Sequence, residues 1–364
     1  MVLESGNRNN TVAQPIRVGL VGCGTVANYG HLPALGASPD FDLVAVCDLH
    51  LPNAEREAVS YGCRAFSSYT DMLDHADLDA LVITTFEDTH PEIARAAAQA
   101  GVHVFCEKPL ANNLADAEAM VQDAESNGVV FNTNFILRTG DAARGLRELD
   151  LSKLGTLEVV RIHALWDMHG FDGAMGGARR IRNLQYGALS CGIHDIDLIG
   201  FLSGRRIETV NASGISPELD DYGPPGHILV SGMLEGGVLY SMEASCTLGR
   251  AGKTRTGIWR YDLMFDRGYT SFVHELGGEP EIKVVDDMGT HTVKLPGFRE
   301  KNWTRAYELL AERVRNGPDF HNDLATGRDG LEAHYVCELA HQQVLAGGCG
   351  LSVGSLRSEA LLHQ

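Results

Sequence analysis

Ile16-Arg17-Val18-Gly19-Leu20-Val21 runs into Gly22-Cys23-Gly24-Thr25-Val26-Ala27, so an apolar, strand-like segment feeds a glycine-rich turn and then a helix-forming stretch. In that context the G-x-G-x-x-A spacing has a physical meaning. Gly22 permits a tight turn, Gly24 lets a pyrophosphate approach the backbone, and Ala27 is small enough for the helix to pack on its strand. The N–H groups of the loop, with those of Thr25 and Val26 at the positive end of the helix dipole, then face phosphate. The next apolar run, Leu43-Val44-Ala45-Val46-Cys47, ends in Asp48, where a carboxylate accepts hydrogen bonds from the hydroxyls of an adenosine ribose. Its charge repels a 2′-phosphate, and Leu49 and His50 bring no arginine to hold one. The pattern points to NAD, with NADP disfavoured.

Working outward, residues 16–21, 43–47, 80–84, 103–106 and 129–132 read as strands, and 25–37, 53–61, 69–74, 90–100 and 114–127 as helices. Near-continuous apolar strands joined by helices predict a doubly wound parallel sheet covered on both faces. After a short helix over 141–149 the rhythm changes. Runs 156–166, 206–213, 227–235, 238–246, 258–266, 269–273, 281–285 and 291–295 read as strands, with turn signals such as Glu235-Gly236-Gly237 and Asp266-Arg267-Gly268 between them. Hairpin-sized gaps predict a largely antiparallel sheet. One helix, 193–202, interrupts it and two more, 303–316 and 327–346, follow. The expected division is a flexible N-terminus (1–14), a dinucleotide-binding α/β domain (15–135) and an α+β domain for substrate and self-association (136–364).

At 364 residues the chain exceeds one ordinary domain. Its 44% apolar and 21% charged residues exclude wholesale disorder. The 48 acidic against 30 basic residues leave a net charge of −18, a field that repels nucleic acid. No run reaches the roughly 18 apolar residues of a membrane span, and the first residues lack the flank and core of a signal peptide, so a cytoplasmic protein is expected. Eight scattered cysteines form no C-x-x-C pair. His163, His169 and His194, with Asp167 and Asp172, lack a helical ligand spacing, so no metal is expected.

Gly101-Val102-His103-Val104-Phe105-Cys106-Glu107-Lys108-Pro109-Leu110 puts Glu-Lys-Pro at the carboxyl end of a parallel strand, the edge at which open α/β sheets bind ligands. Pro109 stiffens the backbone behind Lys108 and is able to take a cis bond, while Glu107 orients nearby cations. Further on, Ser190, His194 and Asp197 stand at i, i+4 and i+7, one face of a helix. His194 in a first turn is disfavoured as imidazolium by the dipole, which keeps it able to accept a proton near pH 7. Asp197 reads as structural. Trp166, Asp167, His169, Arg180 and Tyr186 offer the aromatic face and polar forks of a sugar pocket.

Together the 22–27 loop, Asp48, the run 101–110 and Gly192-Ile193-His194-Asp195-Ile196-Asp197 resemble the glucose-fructose oxidoreductase, inositol dehydrogenase and rhizopine catabolism protein family. The resemblance implies an N-terminal Rossmann domain, a C-terminal α+β domain on an open, mostly antiparallel sheet, and hydride exchange between nicotinamide and a sugar or polyol carbon. It places Lys108 beside the nicotinamide and the reacting oxygen. By the same likeness Thr84, Thr85 and His90 contact cofactor, although Phe86 replaces the usual proline, and Glu107 and Asn134 join that set. Arg138 falls at the approach to the substrate domain, with Ser190 and His194 beyond it. Inositol dehydrogenase-like members carry Asp four residues before the histidine, where this chain has Ser190. A hydroxyl bonds substrate or a ring nitrogen but brings no charge to raise the histidine's basicity, leaving that role to Asp195 or Asp172 or to no acid at all.

The expected chemistry is alcohol oxidation in which His194 takes the proton, Lys108 stabilises the alkoxide and hydride passes to nicotinamide. Two alternatives are an NAD-retaining glycoside-processing enzyme using transient oxidation and a non-catalytic dinucleotide-binding sensor. The expected partners are a small sugar or polyol and copies of the same chain, as homodimer or homotetramer.

Overall fold

The computed structural model describes residues 14–166, 189–215, 226–245, 257–346 and 351–352. Six strands, β1 (Ile16–Val21), β2 (Phe41–Cys47), β3 (Arg64–Phe66), β4 (Ala80–Ile83), β5 (His103–Cys106) and β6 (Phe131–Thr133), form one parallel sheet in the order β3-β2-β1-β4-β5-β6. This is the doubly wound Rossmann order. Period-2 alternation assigns the two faces: Ile16, Val18 and Leu20 of β1 and Ala80 and Val82 of β4 enter one core, while Val21, Leu81 and Ile83 enter the other. The strand order reverses between β1 and β4, and that switch point opens a crevice at the carboxyl edge. The 22–27 loop and Lys108 both lie along this edge.

Helix Trp303–Asn316 also belongs to the first core. Ala306, Tyr307, Leu309 and Leu310 pack with β1 and with helix Leu32–Ala37, although they lie far beyond residue 135. The chain thus returns to cover the sheet it left at β6.

The second half contributes β7 (Leu157–Trp166), β8 (Thr209–Ile215), β9 (His227–Leu234), β10 (Val238–Ser245), β11 (Gly257–Phe265), β12 (Gly268–Glu275), β13 (Glu281–Asp286), β14 (Gly289–Lys294) and β15 (Leu351–Ser352). They form a nine-stranded sheet in the order β14-β13-β12-β11-β7-β10-β9-β8-β15. All its neighbours are antiparallel except β7 and β10. Helices Leu189–Ser203 and Gly327–Leu345 bury one face of it. Leu229 and Leu239 stand exposed on the other strand faces. Among the described residues no helix is long and apolar enough to cross a membrane.

The two sheets are joined at Ile136–Thr139, a single 3₁₀ turn that carries Arg138. Its buried guanidinium donates through Nε and Nη2 to both oxygens of Asp197, at 2.7 and 2.5 Å. A planar fork matched to a carboxylate leaves little for a ligand. Arg138→Met should therefore strand the Asp197 charge and lower unfolding stability by about 3–5 kcal/mol, most of it regained in Arg138→Met/Asp197→Leu. Urea unfolding of the three proteins checks this; equal midpoints for parent and single variant would show that the bridge holds nothing.

Candidate active site

Gly22 has φ +98°, and a Cβ there would come within 2.8 Å of the Thr84 carbonyl carbon and the Thr85 nitrogen. Two demands, the left-handed turn and contact with the end of β4, thus converge on one residue. Gly24 is different: its missing side chain would meet nothing within 4 Å. Gly24 and Thr25 are exposed at the tip of the loop, Val26 is half-buried, and Asn28 Nδ2 braces the loop by donating to the carbonyls of Cys23 and Gly24 at 3.0 and 2.8 Å. Asp48 accepts from the Cys23 N–H through Oδ2 and from the His50 N–H through Oδ1, both at 2.9 Å. A carboxylate has about four acceptor positions, so ribose hydroxyls still find room on Oδ2. The open cradle over Gly24 and this oriented carboxylate fit a dinucleotide.

Several residues expected at the cofactor make internal bonds. The buried Thr84 hydroxyl lies 2.6 Å from the Gly22 carbonyl and ties β4 to the loop. His90 is buried with Nδ1 3.0 Å from the Pro109 carbonyl and Nε2 3.2 Å from that of Thr85, so it clamps the two loops together. Burial lowers its pKa, with the neighbouring carbonyls opposing. The Thr85 hydroxyl accepts from Thr89 Oγ1 at 2.8 Å and stays half-buried.

Glu107 is also engaged within the protein. Its Oε1 accepts from Asn134 Nδ2 at 2.6 Å and lies 3.0 Å from His31 Nε2, and the other His31 nitrogen is 2.7 Å from the Tyr307 hydroxyl. Burial pushes the carboxyl up, but the His31 hydrogen bond and charge, the Lys108 ammonium and Asn134 outweigh it and bring Glu107 down to about 2. His31 was not singled out by any sequence pattern. It comes inward on the wide π-helical turn Ala27–His31, the kind of local irregularity that accompanies functional sites.

With Glu107 so fixed, Lys108 is aimed across the crevice. The Lys108–Pro109 bond is cis, and Lys108 Nζ donates to the Ser190 carbonyl at 3.1 Å. The helix that carries Ser190 also carries His194, which is nine-tenths buried and lies edge-on to Phe135. Burial first, then the charges of Lys108 and Lys301, push the imidazole well below its ordinary range, so it is neutral at pH 7. Ser190 Oγ, His194 Nδ1, Asp195 Oδ1 and Asn134 Oδ1 are all buried without a hydrogen-bond partner among the described residues. Buried polar atoms are nearly always paired, so these four retain capacity to bond a molecule that enters beside them. Ser190 does not bond the ring nitrogen, and Asp195, pushed up to about 8 by burial and Glu300, is a protonated acid unable to lend His194 a negative charge.

Asp197 does not join Ser190 and His194 but turns to Arg138. The Trp166 side chain and Asp167, His169, Asp172, Arg180 and Tyr186 lie outside the described residues. Among those described, no cluster of three His, Cys, Asp or Glu side chains is placed to hold a metal. Lys301 has no counterpart in the sequence reading: it arrives from the loop before helix Trp303–Asn316, and no local motif marks it.

Residues 16–135 match the oxidoreductase family defined by an NAD-binding Rossmann fold that includes glucose-fructose oxidoreductase and inositol dehydrogenase. The chain is 26% identical to the myo-inositol 2-dehydrogenase of Thermotoga maritima over 324 residues, 87% of this chain and 93% of that protein. It is 27% identical to the NAD(+)-dependent scyllo-inositol 2-dehydrogenase of Bacillus subtilis over 316 residues, 83% and 87% of the two chains. The WlbA dehydrogenase of Bordetella pertussis, solved with NADH and UDP-GlcNAcA, shares the fold with a TM-score of 0.75 at 21% identity, covering 93% of this chain and 98% of that one. The family match falls on the first, parallel-sheet part of the chain, the part that holds the 22–27 loop and Asp48.

The two loop glycines should separate cleanly. Gly22→Ala should lower the melting temperature, with a cost of about 1–3 kcal/mol for the strained backbone, whereas Gly24→Ala should melt like the parent yet bind NADH more weakly. Fluorescence titration beside thermal melts decides the matter, and full NADH affinity in Gly24→Ala would remove the loop from the cradle. Asp195 supplies a second expectation. Because its folded pKa is raised, folding takes up a proton above pH 4, and stability falls by about 1.4 kcal/mol per unit as pH rises toward 8. Asp195→Asn should abolish that slope, raising the melting temperature more at pH 8 than at pH 5; the same gain at both would contradict a protonated Asp195.

Proposed function

We propose that this enzyme transfers a hydride between the nicotinamide of NAD and a hydroxyl-bearing carbon of a sugar, polyol or related compound. The observation that carries the reading is the meeting of Lys108 with the Ser190–His194 turn, surrounded by buried polar atoms that lack partners. NAD is preferred to NADP because Asp48 presents its charge where a 2′-phosphate would stand and neither Leu49 nor His50 offsets it. Gly24, Thr25, Val26 and Asp48 would hold the dinucleotide.

Bound nicotinamide supplies the hydride acceptor. The protein's own residues manage the proton and the charge. His194 is neutral and therefore free to take the alcohol proton. The Lys108 ammonium, fixed by its bond to the Ser190 carbonyl, stabilises the alkoxide as it forms. Without a carboxylate partner the imidazole is a weak base, so the lysine carries the larger share of the work. The exposed strand faces of the nine-stranded sheet are the surface we assign to self-association, as homodimer or homotetramer.

An absorbance screen for reduced nicotinamide against sugars, polyols and glycosides, with NAD and NADP in parallel, identifies the substrate class. On the best substrate Lys108→Ala should lower kcat by about 10²–10³-fold while NADH binding holds. Unchanged turnover would dismiss Lys108. The parent's kcat for oxidation should also show no loss between pH 8 and pH 6.5, because the depressed His194 keeps its base form there; a half-maximal rate at pH 6.5 would mean an ordinary histidine.

A further inference from the structure

His31 is fully buried, out of reach of cofactor and substrate, yet it stands on the turn that leaves the phosphate loop and bonds the residue next to Lys108. Three aromatic rings wall it in. Trp303, Phe105 and Tyr307 lie edge-on to it, with centroids 4.7, 5.9 and 6.0 Å away. The packing extends to the backbone, since a Cβ on Gly30 would come within 2.5 Å of the Trp303 ring. Such a ring has no room to swing.

Both of its nitrogens are used. Nδ1 lies 2.7 Å from the Tyr307 hydroxyl and Nε2 lies 3.0 Å from Glu107 Oε1. A carboxylate only accepts, so Nε2 carries a proton and donates it. Asn134 Nδ2 donates to the same Oε1 at 2.6 Å, while Oε2 accepts from the Lys108 backbone N–H at 3.2 Å. Glu107 is thereby held from behind. It is next in the chain to the Lys108 ammonium, and opposite charges attract strongly once removed from water. Among the described residues, however, the ion pair that Glu107 makes within 4.0 Å is with His31, and the ammonium goes instead to the Ser190 carbonyl at 3.1 Å.

We propose that His31 is a positioning residue: by anchoring Glu107 it keeps that carboxylate from capturing the Lys108 ammonium, which is left to reach across to the helix of Ser190 and His194. The proposal rests on the hydride-transfer reading and adds a residue to it. Removing the Nε2 donor leaves a buried anion short of a partner, and the replacement closest along the chain is the ammonium of the next residue. Lys108 would then turn back from Ser190 onto Glu107. Its charge would be neutralised away from the reacting oxygen, where it stabilises no alkoxide.

The test is a double-mutant cycle on the full chain with NAD and the best substrate of the absorbance screen, paired with crystal structures. His31→Leu should lower kcat by about 10–100-fold with NADH affinity unchanged, whereas His31→Gln, whose amide replaces the Nε2 donor, should keep most of the parent rate. In a Glu107→Gln background, which has no anion to capture Lys108, His31→Leu should cost less than about threefold. The crystal structure of His31→Leu should show Lys108 Nζ on the Glu107 carboxylate and off the Ser190 carbonyl. An equal loss in both backgrounds, or a fall in NADH affinity in step with kcat, would make His31 a brace of the phosphate loop and overturn the proposal. So would a Lys108 that keeps its bond to Ser190 in the variant. Should His31→Leu fail to fold, Tyr307→Phe, which takes the hydroxyl from Nδ1 and leaves the ring volume in place, is read in the same way with a smaller loss. If the parent oxidises no compound, the hydride-transfer reading falls, and the crystal structures alone decide which partner Lys108 takes.

Discussion

A lysine from one sheet bonded to the helix that carries a buried, uncharged imidazole on the other is the constraint on which the rest of this molecule depends. Lys108 comes from the end of a parallel strand in the first sheet, and Ser190 and His194 come from a helix packed on the second, 82 residues further along the chain. Their meeting sets the electrostatics of the crevice. Burial alone disfavours the imidazolium, and a fixed cation beside it removes what tendency to protonate remains. In the hydride-transfer reading proposed above, the imidazole is the proton acceptor and the ammonium the charge stabiliser.

Such an arrangement is useful only if neither partner drifts, and much of the surrounding structure restrains them. Glu107 is gripped by His31 and Asn134, His31 by Tyr307, and Tyr307 belongs to the helix that returns from the far end of the chain to cover the first sheet. Across the joint, Arg138 fastens the connecting turn to Asp197, one helical turn beyond His194. Charged groups buried in pairs contribute little net stability, but they make any other placement costly. Fixed orientation is what an alkoxide-stabilising cation requires.

The parts that were legible in the sequence are those whose physics is local. The G-x-G-x-x-A turn between strand and helix, the aspartate closing the next strand, and the alternation of apolar runs with helices each announce themselves within a dozen residues. β3, only three residues long and half exposed, carried no apolar run to mark it. Residue type also proved a weaker guide than direction. Thr84, His90, Glu107, Asn134 and Arg138 lie near the places expected of them, yet their polar atoms turn inward to carbonyls and carboxylates, which spacing along the chain cannot reveal. His31 and Lys301 were invisible for a related reason: each acquires its meaning from partners more than seventy residues away in the first case, and from a different half of the chain in the second.

Nitrogen-15 NMR of the labelled histidine ring, followed with pH in the parent and in Lys108→Met, measures the pairing of amine and imidazole directly. The account predicts a His194 resonance that remains neutral from pH 8 to well below pH 6.5 in the parent, and a titration displaced upward once the lysine charge is gone. A ring that titrates near 6.5 in both proteins, unaffected by residue 108, would contradict it.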